Sequence, residues 1–136
     1  MVKLLMIADD FTGALDTGVQ FAKRGICTQI FTKQKLEDAD VRPETEVLVV
    51  DTESRPMEKA EAYEAVHEIA AWAVRRGVRI IFKKTDSALR GNIGIELQAV
   101  ADTDRDETVF FIPGHPTIGR ITENDTHSIQ GKQTPD

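Results

Sequence analysis

Apolar and polar residues alternate along the chain in blocks that have the lengths of strands and helices. Five short apolar runs are typical of strands buried in a parallel sheet; they span residues 3–8, 28–32, 47–50, 78–82 and 109–112. Three further segments are predicted as helices, at 14–22, 58–76 and 91–100. This order predicts a three-layer α/β fold, in which a mostly parallel sheet of about five strands carries helices on both faces.

The last part of the chain lacks this pattern. From Pro113 to Asp136 there is no apolar periodicity, and glycines and prolines interrupt a polar stretch. A run of roughly 20 residues without secondary structure is unusual inside a compact domain. We therefore predict an α/β domain over residues 1–112, followed by a Gly/Pro-containing loop over residues 113–136.

The amino-acid composition limits the kinds of molecule that the chain is expected to bind. The 136 residues are 40% hydrophobic and 29% charged, as in an ordinary soluble domain, and the formal net charge is −6. Such an acidic chain is a poor match for nucleic acid or an anionic membrane surface, so neither partner is expected. Cys27 is the single cysteine, so no internal disulfide can form and a cytoplasmic location is predicted. An anionic substrate would need a local cluster of cations.

An acidic pair, Asp9 and Asp10, follows the first predicted strand directly. One carboxylate could accept hydrogen bonds from substrate hydroxyls or position a general base. Alternatively, Asp10 caps the following helix, which would leave Asp9 unexplained. A third interpretation is magnesium binding, as in phosphohydrolases with an Asp-x-Asp-Gly-Thr signature, but the spacing here does not match that signature.

Two later strand exits are also charged. Asp51–Arg55 ends in an arginine that could grip a carboxylate with two parallel hydrogen bonds, or could form a surface ion pair with Asp51 or Glu53. Lys83–Asn92 could hold an anion through side chains and backbone amides, or could be a solvated lysine pair beside a helix cap. Because the carboxyl ends of parallel strands meet at one edge of a sheet, the three exits predict one site.

Taken in order, these segments resemble the N-terminal half of the four-carbon acid sugar kinases. The matching strings are Ile7–Asp16, Asp51–Arg55 and Lys83–Gly94, with a divergent continuation at Pro113–Pro116 and Gly119–Thr122. The resemblance implies ATP-dependent phosphorylation of the terminal hydroxyl of a four-carbon sugar acid of the threonate, erythronate or oxo-tetronate type. It also implies that the N-terminal α/β domain holds the acid while a separate C-terminal domain holds the nucleotide.

The resemblance further implies roles for individual residues. Asp9 or Asp10 would bind substrate hydroxyls and Arg55 the carboxylate. Four residues would complete the pocket wall: Lys84, Asp86, Ser87 and Arg90. It assigns no catalytic base.

The cofactors and partners implied by the resemblance lie largely outside the chain. ATP and Mg²⁺ are expected for the full-length kinase and not for this chain alone, since the sequence contains neither a Walker A loop nor a Gly-x-Gly-x-x-Gly string. The chain alone is therefore expected to be inactive. Residues 113–136 would lead towards the nucleotide-binding domain, supplied in cis or in trans, and a homo-oligomer is allowed for. The alternatives are a non-catalytic small-acid binding module or truncated remnant, and a magnesium-dependent phosphohydrolase.

Overall fold

The computed structural model describes residues 1–32, 35–103 and 108–134. Four strands and three helices form the main body: β1 (Leu4–Ala8), α1 (Phe11–Ala22), β2 (Thr28–Phe31), β3 (Val47–Asp51), α2 (Lys59–Arg75), β4 (Ile80–Lys84) and α3 (Ile93–Ala101). Three short strands follow, β5 (Arg120–Glu123), β6 (Thr126–Ile129) and β7 (Lys132–Gln133), and single 3₁₀ turns lie at Asp38–Asp40 and Pro116–Ile118. Among these described elements, no helix has the length and apolar character needed to cross a membrane.

The four strands of the main body form a parallel sheet in the order β2-β3-β1-β4. Its register is what positions the site. Ala8 at the end of β1 lies beside Asp51 of β3 on one side and Lys84 of β4 on the other. The three charged segments therefore leave the sheet at the same level, which confirms that they share one edge of a parallel sheet.

Alternate side chains of the two central strands enter two separate apolar layers. On β1, Leu5 and Ile7 pack in the layer formed with α2 and α3, whereas Met6 and Ala8 pack in the layer formed with α1. The corresponding residues of β3 divide in the same way. The predicted three-layer α/β class is thereby confirmed, with helices on both faces of the sheet.

Helix α1 is buried through its smallest residues. Gly13, Ala14 and Gly18 face inward, while Leu15 and Val19 are 42% and 38% exposed. The apolar spacing that predicts this helix thus marks a partly exposed face of it, because the small residues bring the helix backbone close to the sheet.

The sheet has four strands rather than about five. Within the described residues, the run at 109–112 is not assigned to a strand, and β4 is an edge strand of the sheet. An apolar run supplies side chains suited to a strand, but a strand also requires backbone groups of a neighbour, which sequence does not reveal. This part of the prediction is wrong.

The segment predicted as a loop contains regular structure. Strands β5, β6 and β7 form a small antiparallel sheet in that order. Two turns connect them, with positive φ at Asn124 and Asp125 in the first and at Gln130 and Gly131 in the second. Two-residue turns of this conformation match the twist of antiparallel strands, so a short polar sequence forms hairpins without an apolar stripe.

Candidate functional site

The first strand exit places two carboxylates against one guanidinium. Asp9, which is 1% exposed, accepts a hydrogen bond from Arg55 Nε to its Oδ2 at 2.8 Å. Asp10 Oδ2 lies 2.8 Å from Arg55 Nη1, and Asp10 Oδ1 caps helix α1 by accepting from the amide of Gly13 at 2.9 Å. The capping role considered for Asp10 is therefore present, and Arg55 pairs with Asp9 and Asp10 rather than with Asp51 or Glu53.

The second exit is tied into a buried polar network. The hydroxyl of Thr52 donates to the carbonyl of Ala8 at 3.0 Å and lies 2.8 Å from the hydroxyl of Ser54. Ser54 in turn donates to Glu96 Oε1. Glu96 Oε2 lies 2.8 Å from Lys83 Nζ, and both side chains are 3% exposed or less. The contact with Glu96 Oε2 is an ion pair without hydrogen-bond geometry, and Lys83 Nζ also donates to the carbonyl of Lys84 at 3.1 Å.

The third exit surrounds Asp86 with two arginines. Its Oδ2 accepts a short hydrogen bond from Arg90 Nε, and its Oδ1 lies 3.7 Å from Arg120 Nη1. Arg120 Nη1 also donates to the hydroxyl of Ser87, and the carbonyl of Ser87 lies 2.8 Å from His127 Nε2. Two residues of the small antiparallel sheet thus contact this exit.

Close approaches bring the three exits together. A Cβ added to Gly91 would lie 2.9 Å from Arg55 Cγ, and one added to Gly13 would lie 3.4 Å from Lys84 Nζ. Gly91 also has φ +92°, a conformation that side chains rarely adopt. The side-chain amide of Asn92 donates to the carbonyls of Ser54 and Met57 at 3.0 and 2.8 Å. The second and third exits are therefore locked against each other.

The charges shift the pKa values of the ionisable groups. The hydrogen bond that Arg55 donates to Asp9, opposed by burial, raises the pKa of Arg55, and the charges of Asp9, Asp10 and Asp86 add to the rise. Burial acts to raise the pKa of Asp86, but hydrogen bonds from Arg90 and Ala88 lower it to about 2. Burial is also the main reason that the pKa of Asp51 is raised, since its backbone hydrogen bond from Glu53 acts in the opposite direction. Asp86 and Arg55 are thus held in their ionised forms.

The site combines hydrogen-bond acceptors with cationic side chains. Asp9 Oδ1 is buried and makes no hydrogen bond to any described residue, so it lacks a donor. Arg55 makes its hydrogen bond through Nε, and its Nη2 donates to no group in the described ranges. The Arg90 side chain is 65% exposed. Acceptor and cationic groups therefore lie together at one edge.

Among the described residues, the site lacks the grouping of side chains that a metal ion needs. Within the described ranges, no three His, Cys, Asp or Glu side chains are grouped so as to hold a metal ion. Arg55 and Arg90 pair with aspartates, and the sequence has no glycine-rich phosphate loop. We therefore derive no chemical step through Mg²⁺ or ATP on this chain.

Four contributors to the site are absent from the sequence prediction: Asn92, Glu96, Arg120 and His127. A signal existed for Glu96, which is a lone carboxylate in the largely apolar stretch 93–100. A signal for Arg120 existed in the string Gly119–Thr122, which is part of the family resemblance, whereas no local pattern indicates that His127 reaches the site. All seven predicted site residues do lie at the shared edge of the sheet or in the loops that leave it.

The comparison with protein families agrees with this geometry. Residues 4–136 match the model of the sugar-binding N-terminal domain. The chain belongs to this family. The resemblance to four-carbon acid sugar kinases is confirmed, because the curated relatives carry those activities in their names.

Two relatives show the range of the family. The chain is 37% identical over 124 residues to a D-threonate kinase of Salmonella typhimurium, covering 89% of this chain and 28% of the relative. It is 35% identical over 138 residues to a D-erythronate kinase of Heliobacterium modesticaldum, covering 98% of this chain and 31% of the relative. The chain thus spans less than a third of the length of these relatives.

A solved structure shares the fold. A domain of unknown function from Bordetella bronchiseptica, with bound citrate and in a domain-swapped dimer, superposes with a TM-score of 0.88 at 31% identity. The match covers 96% of this chain and 33% of the solved chain.

Proposed function

We propose that this chain is the substrate-binding part of an ATP-dependent kinase that phosphorylates the terminal hydroxyl of a four-carbon sugar acid. The observation that carries the proposal is Arg55, held at 2.8 Å by Asp9 and Asp10 where three charged strand exits meet. The kinase names of the relatives support an acid of the threonate, erythronate or 3-oxo-tetronate class.

The roles follow from which groups remain available. Asp9 Oδ1 lacks a donor, and a hydroxyl of the bound acid supplies one. The carboxylate of the acid pairs with those N–H groups of Arg55 that do not contact Asp9 or Asp10. Asp10 fixes the orientation of Arg55 while it caps α1.

The third exit closes the pocket from the opposite side. Lys84 adds positive charge beside Gly13, and Asp86, Ser87 and Arg90 form the wall. The citrate bound by the solved relative, itself a small hydroxylated carboxylic acid, supports an acid-binding role for this fold.

Phosphoryl transfer needs ATP and Mg²⁺ positioned against the acceptor hydroxyl. We assign both to a C-terminal nucleotide-binding domain, in cis or in trans, of a full-length cytoplasmic enzyme. The domain-swapped dimer of the solved relative supports a homo-oligomer.

A non-catalytic acid-binding module is the second candidate, because the charged groups at the three exits are all that such a module needs. The two candidates share the pocket and differ in whether an ATP-holding domain completes it. The magnesium-dependent phosphohydrolase gains no support, because the described residues bring no three metal-ligating side chains together.

Calorimetric titration of the purified chain with D-threonate, D-erythronate and L-threonate, without nucleotide, tests the proposal. We expect saturable binding of at least one acid. Arg55→Ala should weaken it by about 1.5–3 kcal/mol, the range for a charged hydrogen-bonding partner.

Arg55→Lys keeps the positive charge and guards against misfolding of the alanine variant, because Asp9 then retains a cation. Arg24→Ala is the matched control, since Arg24 donates only to the carbonyl of Gln20 on an exposed helix end. Wild-type affinity in a folded Arg55→Ala variant would remove Arg55 from the site.

A further inference from the structure

The hairpin formed by β5 and β6 contacts the loop that carries Asp86 and Ser87. Arg120 donates to the hydroxyl of Ser87 through Nη1, which also lies 3.7 Å from Asp86 Oδ1. His127 Nε2 lies 2.8 Å from the carbonyl of Ser87. Both polar ends of Ser87 are therefore held by this hairpin.

The register of the hairpin places the two contacting residues, Arg120 and His127, on one face. Thr122 lies opposite His127, and Arg120 lies opposite Ile129. Opposed residues and those two positions apart share one face of an antiparallel pair, so Arg120 and His127 project from the same face. The two-residue turn at Asn124 and Asp125, both with positive φ, fixes that register.

Hydrogen bonds set the tautomer of His127. A carbonyl oxygen only accepts, so Nε2 carries the hydrogen that is donated to Ser87. Nδ1 then accepts from the hydroxyl of Thr122 at 2.8 Å. The imidazole is 6% exposed, and its backbone carbonyl accepts two bonds from Thr134 at 3.0 Å. The donor that faces Ser87 is thus rigidly oriented.

The loop also depends on Asp86. Oδ2 of its carboxylate accepts a hydrogen bond from Arg90, and Oδ1 lies near the guanidinium of Arg120. Its backbone carbonyl accepts from the amide of Leu89 at 2.9 Å. Leu89 has φ +59°, an uncommon conformation for a branched side chain that persists only where neighbours enforce it. The hairpin contacts Asp86 and Ser87 in the same loop.

We propose that the β5–β6 hairpin is part of the sugar-acid site, in which Arg120 and His127 are positioning residues that hold Asp86 and Ser87 in their binding geometry. The inference rests on the proposed function, because the same acid is its ligand. It gives the segment after residue 113 a role in substrate recognition.

The test titrates D-threonate and D-erythronate into the wild-type chain and three variants by calorimetry. Arg120→Ala should weaken binding about 10-fold or more, since a charged hydrogen-bond partner is lost. Thr122→Val, which keeps the side-chain shape and removes only the donor to His127, should weaken it about 2- to 10-fold. Lys132→Ala is the control, because the exposed side chain of this β7 residue makes no hydrogen bond or ion pair with the described residues, and it should bind as wild type.

A second readout separates positioning from general stability. In both hairpin variants the amides of residues 87–90 should exchange faster with solvent, while the thermal midpoint of Thr122→Val stays near that of wild type. Should Arg120→Ala fail to fold, Arg120→Lys takes its place, with a smaller loss of affinity expected.

The outcomes distinguish the two proposals. A wild-type chain that is folded and binds neither acid contradicts the proposed function and removes this inference with it. A wild-type chain that binds, together with Arg120→Ala and Thr122→Val variants of equal affinity, overturns the positioning role alone.

Discussion

Two edges of the same sheet differ in the contacts that their side chains make. At the loop edge, where Asp9, Arg55 and Asp86 lie, charged groups meet partners from neighbouring exits at hydrogen-bond distance. At the β4 edge, Ile80 and Phe82 are 55% and 43% exposed, and a groove of about 950 Å³ separates β4 from the apolar run at 109–112. One edge is a network of specific contacts, and the other is an exposed apolar surface.

The difference lies in what each kind of residue requires. Burying a charge without a partner costs free energy. The fold must therefore bring a cationic partner to Asp9 and to Asp86. An apolar side chain gains by losing contact with water in any direction, so it specifies no particular neighbour. The loop edge is therefore set by individual residues and the β4 edge is not.

The largest expected effect on stability comes from breaking the buried ion pair between Lys83 and Glu96. Glu96→Ala leaves Lys83 buried and unpaired, and should lower the free energy of unfolding by about 3–5 kcal/mol. Urea denaturation at pH 7, followed by circular dichroism, measures it.

The exposed pair of Lys3 and Glu46 is the control. Lys3→Ala should cost less than about 1 kcal/mol, the usual range for surface ion pairs. Equal losses in the two variants would contradict the view that burial makes the Glu96 network important.

A smaller effect should separate the apolar centre of the sheet from the β4 edge. Leu48 lies fully buried in β3, between β1 and β2. Leu48→Ala should lower the free energy of unfolding by about 2–5 kcal/mol. Phe82→Ala should cost clearly less, because nearly half of its side chain is already exposed. The same urea titration compares them.

If Phe82→Ala costs as much as Leu48→Ala, then the β4 edge is covered in solution, and the contrast between the two edges is wrong.

The smallest effect is the pH dependence contributed by Asp86. Its pKa in the folded chain is about 2, below the ordinary 3.8, so its ionised form stabilises the fold above about pH 4. That contribution, about 1–2 kcal/mol after allowing for solvent screening of the exposed Arg90, is lost as the pH falls from 4 towards 2.

Unfolding free energies of wild type and Asp86→Asn, measured from pH 7 to pH 2, should draw together as the pH falls below about 4. A constant difference across that range would show that Asp86 does not titrate with a lowered pKa.

The sequence predicted the loop edge better than the β4 edge, for the same physical reason. The four parallel strands, three helices and charged exits follow from local patterns and from the rule that parallel strands end at one side. The partners of Arg55 could not be predicted, because they depend on the register that sets Ala8 beside Asp51.

Two other features were out of reach of local patterns. The run at 109–112 has the composition of a strand, but pairing depends on a neighbour that is distant in sequence. The hairpin that brings Arg120 and His127 to Ser87 depends on tight turns in a polar segment, where apolar periodicity carries no information.

The most direct test of the central claim is amide chemical-shift mapping of the ¹⁵N-labelled chain during titration with D-threonate or D-erythronate. The account predicts that the largest shifts fall in the three exits, at residues 9–13, 52–55 and 85–91, with little change at 80–82 and 109–112. Shifts concentrated along β4 and at 109–115 would place the acid in the apolar groove and contradict it.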